Sequence, residues 1–438
     1  MARRIAPLAL ATLTSALVCA LPAAAATPTV RVGFGSPQEP SPLVGFVHGI
    51  DSVSPSDARI EPLRPSLWRG KLKDVPYKRA HEIGGRYTYV LSDRWGYPGQ
   101  LFAPRAPYED WGAWRRFVEK TARTGRKGEG IVWDIWNEPN HPYFWTGTKE
   151  QLYETYRIAW QAIHEVIGPG AVVSGPSTSY YSPEWIGGLL DYCRSRGCDV
   201  DALSWHEFPS GSIPAIETRL DQAHSRWVNN PAYASVGIQE VHLNEVIGAK
   251  DQYLPAETLG YMRFMERGGA DLAARACWSD SAGADNCYNE TLGGLLQPSS
   301  LLPRSVWWTT KAYADGAGSR VLTKFSDPYV VGIGSRAGAS AGTAQLLIGH
   351  LERRVGTVKS RSSTDVRVTL RKLSALGFLR GSKQVKITIQ GFPATGEAPL
   401  AASVGRRGKV HRIRDGEVAL TLHGVKLHEA YRLLLTRP

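Results

Sequence analysis

The chain has 438 residues, 42% hydrophobic and 21% charged, with 14 Trp, 18 Tyr, 10 Phe and a formal net charge of +12. At about 150 residues per domain this is more than one ordinary domain, and so aromatic a composition excludes long disorder and collagen-like repeats. Past the N-terminus no apolar run reaches the ~18 residues of a transmembrane segment, so a soluble, multi-domain globular protein is expected.

Residues 1–26 read as a leader. Arg3 and Arg4 precede an apolar stretch from Ile5 to Leu21, and the run Ala23 to Ala26 supplies an A-x-A cleavage site. Leu17-Val18 before Cys19 lacks the small residues of a lipid-modified leader, so a secreted or periplasmic chain cleaved near Ala26–Thr27 is expected. Four cysteines remain, and an even count in an exported chain favours disulfides. The short spacings favour Cys193–Cys198 with Cys277–Cys287, and neither pair has zinc-knuckle spacing with nearby His. In residues 27–41, Val30, Val32 and Phe34 alternate as a strand that could join a sheet from the far end of the chain.

Residues 42–316 alternate strand with helix. Apolar runs fall at Leu43–Val47, Leu63–Leu67, Tyr87–Leu91, Ile131–Trp136, Ala171–Val173, Ala202–Trp205, Val236–Gln239 and Ala274–Trp278. Thr148 with Gln151 makes a capping box for a helix that Gly168-Pro169 stops; Ser182-Pro183 opens another, which Gly197 closes. Eight β-then-α units in about 280 residues predict a TIM (β/α)8 barrel, an α/β fold. No Gly-x-Gly-x-x-Gly follows an early strand, which weakens a dinucleotide-binding alternative.

Composition then breaks. Residues 27–316 carry 29 Lys+Arg against 33 Asp+Glu and all 14 Trp, whereas residues 317–438 carry 21 against 7 and no Trp. Period-two runs at Val366–Leu370, Val385–Ile389, Val418–Leu422 and Tyr431–Leu435 predict an antiparallel β-sandwich over 317–438.

The fourth strand runs into Trp136-Asn137-Glu138-Pro139-Asn140. Pro139 cannot extend a ladder, so Glu138 falls at the strand's C-terminal end, the face where barrel active sites lie. The W-N-E-P-N run resembles the acid/base motif of clan A glycoside hydrolases, most of all family 39, which joins a barrel to a β-sandwich. The resemblance implies that Glu138 is the general acid/base and that Asn137 holds a sugar 2-hydroxyl. It also implies a nucleophilic carboxylate at the end of strand seven. Read as Ser235–Glu240, that strand offers Glu240, with Glu245 the rival in the following loop. A retaining enzyme needs its two carboxyls ~5–5.5 Å apart, Glu138 protonated by an apolar setting and the nucleophile held ionised by donors. Arg64 at strand two and His206 after strand six are candidate donors. The run Ser204-Trp205-His206-Glu207-Phe208 resembles the family's strand-six motif, so Trp205 and His206 are expected to line the substrate subsite. Trp278 resembles the platform under the sugar ring, and His48 after strand one could bind a hydroxyl.

Two residues depart from the family pattern: Val241 follows Glu240 where an aromatic is frequent, and Phe208 stands where a Tyr donor is common. Asp134, inside strand four, reads as a structural core carboxylate. No H-E-x-x-H, G-x-S-x-G or Walker run is present, and no metal or organic cofactor is implied. The expected partner is a poly- or oligosaccharide, with an anionic glycan or envelope surface as a second partner for the basic segment. Nucleic acid is not expected, since only charge suggests it. The alternative is a non-catalytic polysaccharide-binding or cell-surface protein on a hydrolase-like scaffold.

Overall fold

The computed structural model describes residues 26–39, 43–71, 77–100, 105–125, 130–208, 212–338, 340–357 and 359–438, with backbone only at 406 and 407. Residues 1–25 of the expected leader lie outside these. No helix among the described residues is long and apolar enough to cross a membrane.

After β1 (Thr29–Pro37) come eight strands: β2 (Gly45–Val47), β3 (Leu67–Gly70), β4 (Arg86–Val90), β5 (Ile131–Asp134), β6 (Val172–Thr178), β7 (Ala202–Glu207), β8 (Glu240–Val246) and β9 (Leu272–Arg275). They pair in parallel in chain order, and Phe46 opposite Arg275 closes β2 onto β9. The expected eight-stranded barrel is therefore present. Most outer helices follow their sequence signals. Thr148 Oγ1 accepts from the Gln151 N–H while Gln151 accepts from the Thr148 N–H, which starts the helix Lys149–Ile167. The helix Pro183–Arg196 ends on left-handed Gly197 (φ 70°), and the Cys193–Cys198 disulfide spans that turn.

Two strands begin later than their apolar runs suggest. Glu61–Leu63 and Pro231–Val236 form 3-10 turns that end on left-handed Arg64 (φ 48°) and Gly237 (φ 72°), and only then do β3 and β8 start. The reason is a polar barrel interior. Arg69, Asp134, Ser204, His206, His242 and Asn244 are all buried. Ser204, His206, His242 and Asn244 alternate along β7 and β8 with the outward Leu203, Trp205, Val241 and Leu243, which pack under the helices. Strands that alternate this way are hidden from a search for continuous apolar runs.

The remaining strands are β10 (Arg320–Phe325), β11 (Val330–Ser335), β12 (Ala344–His350), β13 (Ser363–Arg371), β14 (Gln384–Phe392), β15 (Val404–Arg412), β16 (Val418–Lys426) and β17 (Ala430–Thr436). With β1 they form one nine-stranded sheet in the order β15-β14-β17-β12-β11-β10-β1-β13-β16. Only the β1–β13 pairing is parallel. The sheet curls on itself, so that Val385 and Ile387 of β14 share a core with Val418 and Leu422 of β16; the two layers of the sandwich are one sheet.

The helix Pro255–Gly268 is buried between barrel and sheet. A Cβ on Gly349 of β12 would stand 3.2 Å from Ala256 Cα, so the two backbones touch. Glu257 accepts from the Glu352 N–H and from His428 Nδ1 (2.7 Å), and Arg320 pairs with Glu266 at 2.8 Å. These contacts fix the sheet on the barrel's flank.

Candidate active site

Four non-glycine residues at the C-terminal rim adopt a left-handed backbone: His48 (φ 51°), Glu138 (φ 45°), Ser177 (φ 53°) and Ile247 (φ 72°). Such conformations are costly, most of all for β-branched Ile247, and persist only where surrounding contacts hold them. At Glu138 the hold is visible: its N–H donates to Ser177 O (2.9 Å) and its carbonyl accepts from the His141 N–H (2.9 Å). Trp136 beneath it donates to Phe144 O and packs against Trp145 and Trp114.

Below the rim, Arg69 organises the floor. Its Nε and Nη2 donate to Asp134 Oδ2 (3.1 and 2.9 Å), Nη2 also to Asn137 Oδ1 (2.8 Å), and Nη1 to Glu245 Oε1 (2.6 Å). Burial alone would strip the guanidinium's proton more easily, but the charges of Asp134 and Glu245 outweigh that and hold it cationic. Asp134 also accepts from Ser177 Oγ and Asn244 Nδ2, so it is the structural core carboxylate its position suggested. Because Arg69 occupies Asn137 Oδ1, the side-chain amide presents its NH2 to the cleft that it lines.

Glu138 and Glu245 meet at one imidazole. His206 Nδ1 lies 2.8 Å from Glu138 Oε1, and His206 Nε2 lies 3.9 Å from Glu245 Oε1. The imidazole is fully buried, while the two carboxylates keep 15% and 19% side-chain exposure, enough to face a ligand. For Glu138 burial pushes the pKa up, but the hydrogen bond from His206 and the charges of His206, Arg69 and His141 prevail, and the carboxyl lies below its ordinary value. That is opposite to the upward shift expected of a resting acid. A carboxylate can only accept, so Nδ1 carries the hydrogen of this bond.

The cleft above has a volume of about 330 Å³ and is lined by His48, Arg69, Asn137, Tyr143, Glu245 and Tyr288, among others. His48 stacks on Tyr288, with ring centroids 4.9 Å apart. Trp278 sits beside the site, its Nε1–H donating to Ile247 O and its ring edge-on to Phe208, which in turn packs against His206.

Three expected site residues are elsewhere. Glu240 opens β8 at the N-terminal end of the barrel, where hydrogen bonds from His242 Nε2 (2.8 Å) and then Arg86 Nη1 (2.7 Å) outweigh burial and bring its pKa down to about 2. Five residues of strand, roughly 16 Å at 3.3 Å per residue, separate it from Glu245. Arg64 is exposed in the turn before β3, and Arg69 supplies the donors expected of it. Trp205 is fully buried on the outer face of β7, its Nε1–H donating to Glu207 Oε1 (2.8 Å), so it is core. Sequence reasoning missed Arg69, although it lies in the run L-R-P-S-L-W-R-G. It also missed Asp93 and Tyr97, which line the cleft after β4.

A closed parallel barrel that gathers two carboxylates, an Asn and an Arg at the C-terminal ends of its strands, with a curled sheet on its flank, is the architecture that the resemblance to clan A glycoside hydrolases implied. Residues 96–230 match the model of "Glycosyl hydrolases family 39", which includes Asn137, Glu138 and His206. The β-xylosidase of Caldicellulosiruptor saccharolyticus is 31% identical over 137 residues, 30% of this chain and 27% of that protein. The chain is thus matched over only about a quarter of that relative's length. The fold is shared with the structure of N2152 from Neocallimastix frontalis (TM-score 0.73, 19% identity, 94% of this chain and 100% of that one). It is shared too with the family 39 enzyme of Xanthomonas axonopodis pv. citri (TM-score 0.67, 14% identity, 95% and 100%). The chain is thus similar to family 39 over residues 96–230, and it shares its fold with solved structures over most of its length.

Proposed function

We propose that the protein is a retaining glycoside hydrolase, β-xylosidase-like in its reaction, with Glu138 as acid/base and Glu245 as nucleophile. The observation that carries this reading is the approach of both carboxylates to one imidazole, Glu138 Oε1 2.8 Å from His206 Nδ1 and Glu245 Oε1 3.9 Å from Nε2. Glu245 Oε attacks the anomeric carbon while the glycosidic oxygen takes a proton from Glu138 and leaves. Water then attacks the glycosyl ester, Glu138 takes its proton, and Glu245 departs. Glu138 must itself take up that proton before the first step, against the hydrogen bond from His206 Nδ1 at 2.8 Å that lowers its pKa. Asn137 NH2 is suited to the sugar 2-hydroxyl, and Arg69 fixes both Asn137 and Glu245 during the reaction.

Two finer points belong to the same reading. Export is supported by the A-x-A leader sequence and by the Cys193–Cys198 and Cys277–Cys287 disulfides. The basic sheet would draw the enzyme towards an anionic glycan or envelope surface by long-range attraction.

The test of the reaction is Glu138→Ala. On an aryl β-xyloside, whose leaving group needs little protonation, deglycosylation should become limiting. Azide should then restore turnover and give a β-xylosyl azide, while hydrolysis of an unactivated xylo-oligosaccharide falls about 10²–10⁴-fold. Unchanged hydrolysis would rule out Glu138, and no turnover of either substrate by the wild type would favour a binding protein over an enzyme.

A further inference from the structure

The Cys277–Cys287 disulfide closes the start of the long connection after β9, and Tyr288 is the next residue. Cys277, Cys287 and Tyr288 line the same cleft as Arg69, Asn137 and Glu245. The loop is tied down on both sides of Tyr288. Cys287 O accepts from the Gly49 N–H (2.9 Å), Cys287 N–H donates to Asp285 Oδ1 (2.8 Å), and Asn286 Nδ2 donates to Trp278 O (2.7 Å). Past it, Thr291 Oγ1 donates to Asn289 Oδ1 (2.7 Å) and accepts from the Gly294 N–H (3.2 Å).

Tyr288 is 57% exposed, whereas His48, on which it stacks with an interplanar angle of 28°, is 7% exposed. Its Oη lies 3.4 Å from His48 Nε2, so the ring is oriented as well as packed. A rigid aromatic plate kept at the surface of a cleft, beside a carboxylate, offers a π face to the C–H face of a pyranose.

We propose that Tyr288, and not Trp278, is the aromatic platform of the sugar subsite beside Glu245, and that the Cys277–Cys287 disulfide is the strut that positions it. This rests on the retaining-hydrolase reading, but its own claim is binding. The ligand class is a pyranoside with one apolar ring face, held on the Glu245 side of the cleft, and the disulfide acts through Tyr288 and not on the chemistry.

The test pairs xylobiose binding by titration calorimetry with kcat and KM on 4-nitrophenyl β-D-xylopyranoside. Tyr288→Ala should weaken binding and raise KM about tenfold, the loss of one good aromatic contact, with kcat within about threefold. Tyr288→Phe should restore both constants. Cys277→Ser/Cys287→Ser should reproduce the KM rise, while Cys193→Ser/Cys198→Ser should lower thermal stability and leave KM alone. The Tyr288 variants keep the disulfide and stay decisive if the first cysteine variant does not fold. Wild-type affinity and KM in Tyr288→Ala, or no xylobiose binding by the wild type, would overturn the platform. Binding without turnover in the wild type would overturn the hydrolase reading alone, and the binding arm would still decide on Tyr288.

Discussion

His206 stands between two carboxylates, and its hydrogen bond to Glu138 bears on how readily that acid is protonated. In the free site burial pushes the Glu138 pKa up, but the hydrogen bond from His206 and the positive charges around it bring it below its ordinary value. In His206→Ala the largest downward pull on Glu138 is gone and burial is left less opposed, so its pKa should rise. The basic limb of kcat/KM should accordingly move to higher pH. A limb that stays put or moves down would mean that the hydrogen bond from His206 does not hold Glu138 down.

At the scale of strands, both misplaced charged residues share one cause. The donor lies at Arg69, not Arg64, and the rim carboxylate at Glu245, not Glu240, each five residues further along. In both places the apolar run begins on the last residue of the preceding 3-10 turn, Leu63 or Val236, whereas the strand itself starts only at Leu67 or Glu240 and carries inward polar residues. The strand ends that carry Asn137, Glu138 and His206 were legible because β5 and β7 begin where their apolar runs begin. Glu240 has its own task, tying the start of β8 to Arg86 of β4. Its pKa of about 2 against the usual 4.5 means that this stabilisation is complete above about pH 4.5 and fades as pH falls towards 2. Glu240→Gln should therefore cost about 1–2 kcal/mol at pH 7, a discounted figure because the side chain is 31% exposed, and the deficit should vanish over that window. Chemical denaturation at pH 7 and at pH 3 measures it, with kcat/KM at neutral pH unchanged. A large loss of activity would return Glu240 to the chemistry.

For the whole molecule, barrel and sheet were readable from two periodicities and a shift in composition. The curl of the sheet was not, because curvature arises from twist summed over nine strands and leaves no local sequence mark. Nor was the seam, where Gly349 and Ala256 touch through backbone atoms. Part of the basic charge has a local use: Lys409 and Arg412 lie on the edge strand β15, where positive side chains discourage pairing with another sheet. If the rest also draws the protein to polyanions, the full chain should be retained on immobilised polygalacturonate at low salt. It should elute by about 0.5 M, where the screening length is about 4–5 Å. No retention at low salt would contradict that partner.

The pairing of Glu138 with Glu245 across His206 is tested most directly by trapping the glycosyl ester with 2-deoxy-2-fluoro-β-D-xylosyl fluoride and locating the added mass by peptide sequencing. The sugar is expected on Glu245; sugar on Glu240 would contradict the pairing, and so would an inverted product with no ester formed.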